Sequence, residues 1–156
     1  MSGISTQDVI DLEYDYVVCL DENRIEDWPD LFVKDGLYEV FSRENVEMNL
    51  EFPIVNCKSY DMLQDRVLCL RKTTVYTFHY PRHLISNIRV KPIDGGTLAV
   101  SANFALYQTD LEGRTSLFST GKYDDLVDTS GTTPKFKRKR VIMDTFSVNN
   151  MISMPI

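Results

Sequence analysis

SYDMLQDRVLCLRKTTVYTFHYPRHLISNIRV, Ser59 to Val90, changes its periodicity halfway along, and that change decides the fold class. In the first half Leu63, Val67 and Leu70 recur at i, i+4 and i+7, with Met62 and Cys69 beside them. That spacing makes one apolar stripe on a helix. Ser59 suits the N-cap, and Asp61 in the first turn and Arg71 and Lys72 in the last match the helix dipole. Near Thr73 the run Thr73-Thr74-Val75 supplies β-branched residues that favour strand. Past Pro81, Leu84, Ser86, Ile88 and Val90 alternate with His83, Ile85, Asn87 and Arg89. Strict alternation predicts a strand whose even positions form the apolar face.

Upstream the chain is helical. Ser5 and Asp8 have capping-box spacing, and Val9, Leu12, Tyr16, Val17 and Leu20 trace a stripe. Asp21-Glu22-Asn23 interrupts it. A second short helical piece holds Ile25 and Trp28, and Pro29 ends or bends it. The two pieces should pack as a helical hairpin. Asp35-Gly36 reads as a turn, 36–41 as a strand and 42–45 as a polar connection. From Glu47, Met48, Leu50, Phe52 and Ile54 alternate with polar residues, which predicts a strand that Pro53 confines to an edge or makes irregular.

Downstream the chain is strand-rich. Asp94-Gly95-Gly96 is a hairpin turn, and Leu98, Val100, Ala102, Phe104 and Leu106 share the next strand's apolar face. Asp110–Gly113 is another turn. A strand over 114–127 holds Leu117, Phe118, Tyr123 and Val127, Ser130–Pro134 forms a loop, and the last strand covers 136–148 with Ile142, Phe146 and Val148. Long strands joined by short turns form an antiparallel meander. Helices first and strands later predict α+β: one domain over residues 1–156, with a curved antiparallel sheet and helices packed on its concave face.

A chain of 156 residues with 43% hydrophobic residues, eight Tyr and eight Phe can build a real core. The net charge of -6 argues against a nucleic-acid partner. No apolar run approaches the ~18 residues of a membrane span, and residues 1–18 lack the basic start and small-residue cleavage site of a signal peptide. Cys19, Cys57 and Cys69 have no paired spacing, so they read as buried or half-buried thiols in a reducing, cytoplasmic setting.

The residues give no catalytic or metal signature. His79 and His83 are the two histidines, and four strand positions separate them by about 13 Å, too far to share a metal. The cysteine and histidine set cannot supply an iron–sulfur site. Tyr14, Tyr38, Tyr76, His83 and Asp35 could line an apolar pocket as the acid–base group of a dehydratase or isomerase; the alternative is a filled core with tyrosine hydroxyls at its margin. The run Lys135–Arg140 places Lys135, Lys137 and Lys139 on one strand face, read as solvated, with an acidic docking partner as the second reading. Asp65-Arg66 and Arg82-His83 either pair within the chain or face another subunit. Trp28 is core or interface. The apolar tail Met151–Ile156 should dock on this chain or a neighbour.

Asp61-Met-Leu-Gln-Asp65-Arg66-Val67 and Pro81-Arg82-His83-Leu84-Ile85-Ser86-Asn87-Ile88-Arg89-Val90 resemble the small (β) subunit of the aromatic-ring-hydroxylating dioxygenases. Trp28–Phe32, Asp144-Thr145-Phe146 and the terminal Pro155-Ile156 extend the resemblance along the chain in order. It implies the cone-shaped α+β fold of scytalone dehydratase and ketosteroid isomerase. It also implies a structural subunit without catalytic, metal or cofactor residues, assembled as three β with three α. The α subunit would carry the Rieske iron–sulfur cluster and mononuclear iron. Subunit contacts would then fall on Trp28, Arg66, Arg82, His83, Arg89, Met154 and Ile156. The other reading is a stand-alone cone-fold dehydratase, isomerase or small-ligand binder.

Overall fold

The capping box forms as spaced: Ser5 Oγ accepts from the Asp8 N–H at 3.2 Å, and Asp8 Oδ2 accepts from the Ser5 N–H at 2.7 Å. It opens α1 (Thr6–Asp21), whose whole predicted stripe is buried, together with Glu13 and Cys19. This computed structural model describes residues 3–145, 147 and 151–156. After α1 the chain turns at Asn23, a left-handed residue with φ 57°. The expected second helix shrinks to a 3-10 turn, Trp28–Leu31, with Pro29 in its first positions. Proline there lacks only an N–H that a helix start leaves unpaired, so it opens the turn instead of ending a helix.

β1 (Phe32–Ser42) runs straight through the expected Asp35-Gly36 turn. The extra residues are absorbed by a register shift against the last strand between Phe32 and Leu37. A Cβ on Gly36 would lie 2.8 Å from the Val33 carbonyl oxygen, which explains the glycine. Ser42 then caps α2 (Arg43–Glu47), where a plain polar link was expected. The strand expected over 47–54 does not form. Asn49 adopts φ 56°, Pro53 offers no ladder N–H, and Met48, Leu50, Phe52 and Ile54 are all exposed. Pairing begins only at β2 (Val55–Cys57), antiparallel to β1.

α3 (Tyr60–Lys72) starts at Ser59, whose Oγ accepts from the Met62 N–H at 3.3 Å. It buries Leu63, Val67 and Leu70 and leaves Met62 and Cys69 exposed. Arg71 near its end grips Glu26 through Nε at 2.6 Å and Nη2 at 2.9 Å, and also bonds Asn23. The strand expected from Thr73 begins only at Tyr80.

β3 (Tyr80–Asp94), β4 (Thr97–Thr109), β5 (Thr115–Asp128) and β6 (Lys135–Met143) form the antiparallel meander. Its turns use Gly95, Gly96 and Gly113 at positive φ. The sheet is not wholly antiparallel, because β1 joins β6 in parallel. The strand order is β2-β1-β6-β5-β4-β3, a curved, unclosed sheet in which β3 is an open edge among the described residues. Phe146 and Val148, expected in the last strand, lie outside the described residues.

Two bulges decide which side chains enter the core. Ser86 faces Asn103 while Arg89 faces Ser101, so β3 carries one extra residue beside Asn87, at φ 55°. Before it His83 and Ile85 point inward; after it Ile88 and Val90 do. Leu84, expected inside, is 56% exposed. On β6 a shift between Leu126↔Arg138 and Val127↔Phe136 turns Phe136, Lys139, Val141 and Met143 inward together. The predicted three-lysine face is thereby broken, and β6 lies mid-sheet. Between α1 and the sheet, Trp28 meets Phe32 and Tyr38 edge-on, and Phe104 stacks on Tyr123 at 4.9 Å.

A Cβ on Gly121 of β5 would sit 2.1 Å from the Ile142 carbonyl oxygen and 2.9 Å from Phe104. Gly121→Ala should therefore destabilise by at least the ~1–3 kcal/mol of an overpacked core, read as a lower urea midpoint. The bidentate bond from Arg71 holds the Glu26 carboxyl down at about 2, below its ordinary 4.5. The depressed value means the ion pair adds stability above about 4.5 and loses it as pH falls toward 2. An NMR titration should show the Glu26 midpoint moving back up toward 4.5 in Arg71→Ala.

Candidate functional site

Lys139 is fully buried, and its ammonium sits between two equally buried carboxylates: Nζ donates to Glu13 Oε2 at 2.6 Å and to Asp125 Oδ2 at 2.8 Å. The ring of Tyr123 lies 3.5 Å from Nζ and that of Tyr16 4.4 Å away. Asp125 Oδ1 accepts from the Arg140 backbone N–H at 2.9 Å. Glu13 comes from α1, Asp125 from β5 and Lys139 from β6, so the cluster ties the helix to two central strands. Burial drives the Asp125 carboxyl well above the ordinary carboxylate range; Lys139 opposes that, and Glu13 adds to it. One ammonium thus faces two carboxyls, one of which favours its protonated form. Glu13 Oε1 and the Tyr123 hydroxyl have no partner among the described residues.

A second pair closes the end of α1. His83 Nδ1 lies 2.6 Å from Asp21 Oδ1, and the His83 backbone N–H donates to Asp21 Oδ2 at 3.0 Å. His83 is therefore held within the chain, as is Arg66, whose Nη2 donates to the Ile152 and Ser153 carbonyls at 3.3 Å. The tail docks on its own core: Tyr16 Oη donates to Ile156 O at 2.6 Å, and the Ile156 N–H donates to Tyr38 Oη at 3.0 Å.

Those bonds disperse the acid–base group read from the sequence. Tyr14 and Asp35 are exposed, Tyr38 serves the tail, Tyr76 approaches the Met154 sulfur at 3.9 Å, and His83 serves Asp21. The interior between α1 and the sheet holds Tyr16, Tyr38, Tyr123, Phe136, Lys139 and Ile156, all within 1% of full burial. Two hollows lie at the surface. One of about 580 Å³ runs between the outer face of β1 and the 49–53 loop, and one of about 340 Å³ is lined by Tyr76, Phe78, Tyr80 and Met154. No group of three or more His, Cys, Asp or Glu is placed to hold a metal ion among the described residues.

Of the residues assigned to subunit contacts, Trp28, His83 and Ile156 are already buried inside this chain. Trp28 and Ile156 fill the core, and their surfaces have no outward face for a partner. Arg82 and Arg89 are exposed on β3, with Arg82 4.0 Å from Asp21 Oδ2; Arg66 and Met154 are half-buried. The cluster on Lys139 escaped the sequence reading because Glu13 and Asp125 are far apart in the chain and the β6 bulge hides the inward turn of Lys139. Glu13 did leave a trace: it sits between Leu12 and Tyr16, inside the apolar stripe.

A family model described as "Ring hydroxylating beta subunit" matches residues 17–150. The chain is 34% identical over 145 residues to the small subunit of anthranilate 1,2-dioxygenase from Burkholderia cepacia, covering 93% of this chain and 90% of that one. Among solved structures, a protein assigned as the β subunit of an aromatic-ring-hydroxylating dioxygenase from Novosphingobium aromaticivorans superposes with a TM-score of 0.87. It is 37% identical, with 96% of this chain and 95% of that one covered. A protein assigned as a scytalone dehydratase from the same bacterium shares the fold, with a TM-score of 0.69 at 19% identity over 89% of this chain and 83% of that one.

The cysteines differ sharply in surroundings. Burial pushes the Cys19 thiol up to about 12 and raises that of Cys57, while Cys69 is exposed on α3 and is not the buried or half-buried thiol expected. Only thiolate reacts, so iodoacetamide at neutral pH should label Cys69 alone in the folded protein. Cys19 and Cys57 should gain the label only in denaturant, as peptide mass spectrometry will report.

Proposed function

The chain belongs to the family of ring-hydroxylating dioxygenase β subunits, and from that premise we propose that it is the scaffolding subunit of its oxygenase, with no active site of its own. The observation that carries this reading is the occupied cone. A relative of nearly equal length is a named dioxygenase small subunit, and here the interior is taken up by aromatic rings, a neutralised lysine and the chain's own tail. A substrate entering that space would have to displace Tyr16, Tyr123 and Ile156, which are bonded or packed in place.

In this reading the whole chain acts as one domain, in the cytoplasm, in a complex of three β with three α. The α subunit supplies the Rieske cluster, the mononuclear iron and the oxygen chemistry. The substrate is an aromatic acid, by analogy with the anthranilate enzyme. Contacts fall on surface that the monomer leaves open: Arg82 and Arg89 on edge strand β3, with Leu84 beside them, and the exposed 48–54 segment. Arg66 and Met154 act indirectly by seating the tail.

Co-expression with a Rieske-type α subunit tests this. Light scattering should give a mixed hexamer, and oxygenase turnover should require α. Arg82→Glu should weaken assembly by about tenfold or more without unfolding the free chain, since Arg82 is largely solvent-facing. A chain that ignores α and dehydrates or isomerises a substrate unaided would overturn the proposal.

A further inference from the structure

We propose that Lys139 and Asp125 become joined by an amide bond between their side chains, formed by the folded protein itself with Glu13 as the proton carrier. The argument starts from register. Leu126 faces Arg138 and Tyr123 faces Val141, so Asp125 and Lys139 stand opposite one another on adjacent antiparallel strands, both turned inward. Their contact is short, with Nζ 2.8 Å from Asp125 Oδ2. An amine held against a carboxyl group in a fixed geometry gains the large proximity advantage of an intramolecular reaction.

The remaining groups are those an acyl transfer requires. Asp125 Oδ1 already accepts the Arg140 backbone N–H at 2.9 Å, so a donor waits where negative charge develops on the carbonyl oxygen. Glu13 Oε2 touches the same Nζ at 2.6 Å, and its other oxygen has no partner among the described residues. It is placed to take the proton that keeps the nitrogen from attacking. Side-chain exposure of all three residues is zero, and the rings of Tyr16, Tyr123 and Phe136 lie within 4.9 Å of Nζ. Exclusion of water disfavours the reverse reaction, hydrolysis of the amide.

The step balances without a co-reactant. It begins with the Lys139 ammonium, the Glu13 carboxylate and the Asp125 carboxylic acid, which burial favours. Lys139 gives one proton to Glu13, and the free amine forms a C–N bond to Cγ of Asp125. Oδ1 carries the charge of the tetrahedral intermediate. The Cγ–Oδ2 bond then breaks as Glu13 protonates the departing hydroxyl, which leaves as water. Glu13 takes the second proton from the new amide nitrogen and ends protonated. The cluster is neutral before and after, nothing is oxidised or reduced, and one water is released.

The product differs from an ordinary buried ion triad in a quantity that needs no variant. The purified, folded chain should be lighter than its sequence mass by one water. A protease digest made in denaturant should contain a branched peptide linking 125 to 139. Glu13→Gln keeps a hydrogen-bond acceptor for Lys139 but cannot carry the proton, so it should fold and retain the full sequence mass. Asp125→Ala should do so as well. A wild-type chain of full sequence mass with only linear peptides around Asp125 and Lys139 would overturn the proposal, whether or not either variant folds. A link of equal yield in Glu13→Gln would overturn the role given to Glu13.

Discussion

The ammonium that Lys139 carries into the interior as the chain folds is the constraint around which the rest of the chain is fitted. A lysine with no exposed surface is tolerable only if its charge is met by close, well-oriented partners. Meeting it fixes three things together. α1 must present Glu13 at one rotation, which places Leu12, Tyr16 and Val17 against the sheet. β5 must hold Asp125 across from Lys139. β6 must carry the bulge that turns Lys139 inward after Phe136. Removing Lys139 or Glu13 leaves an unmatched buried charge, at a cost of about 3–5 kcal/mol, whereas replacing all three residues with apolar ones of similar volume need cost nothing. The cluster is therefore better understood as a device that specifies one arrangement of helix and sheet than as a source of stability.

The same logic of pairing buried polar groups seals the two ends of the interior. Asp21 meets both the backbone and the ring of His83 and so fastens the end of α1 to β3. Tyr16 and Tyr38 bracket Ile156, and Arg66 holds the carbonyls just before it. Each of these polar groups would be costly left alone inside the cone, and each finds its partner on a segment distant in sequence. A fold whose architecture can enclose a pocket is here filled from both sides by its own chain.

Elements that obey a local rule were legible in the sequence. The capping residues Ser5 and Ser59, the stripes of α1 and α3, and the glycine turns after β3 and β4 depend on neighbours a few residues away. The misplaced side chains of β3 and β6 share one cause, which is that period-two reading assumes an unbroken strand. Asn87 breaks β3, and Leu84 exchanges places with His83 and Ile85. The β6 bulge converts a basic run that reads as solvated into one carrying the most deeply buried charge. Asp35-Gly36 becomes a bulge because β6 lies alongside to absorb it. The parallel β1–β6 pairing brings the N-terminal half into the sheet, and no local pattern encodes a pairing between segments a hundred residues apart. The alternation over 47–54 misled in the opposite sense: the pattern exists, but no second layer among the described residues covers it.

That uncovered alternation bears on where the function of the chain resides. Phe52 at 72% exposure and its neighbours Met48, Leu50 and Ile54 form an apolar segment with no core behind it, beside a hollow on the outer face of β1. Across the sheet, β3 is an edge strand with no further strand beside it among the described residues, and Arg82, Leu84 and Arg89 lie exposed on it. Long open edges and apolar patches are liabilities in a solitary protein and assets in a subunit. The charged groups turned inward in this chain are paired with one another, and the large apolar features left uncovered are surfaces. A protein organised that way is built to be touched by another chain, which is the division of labour expected when the reactive centre lies in a partner.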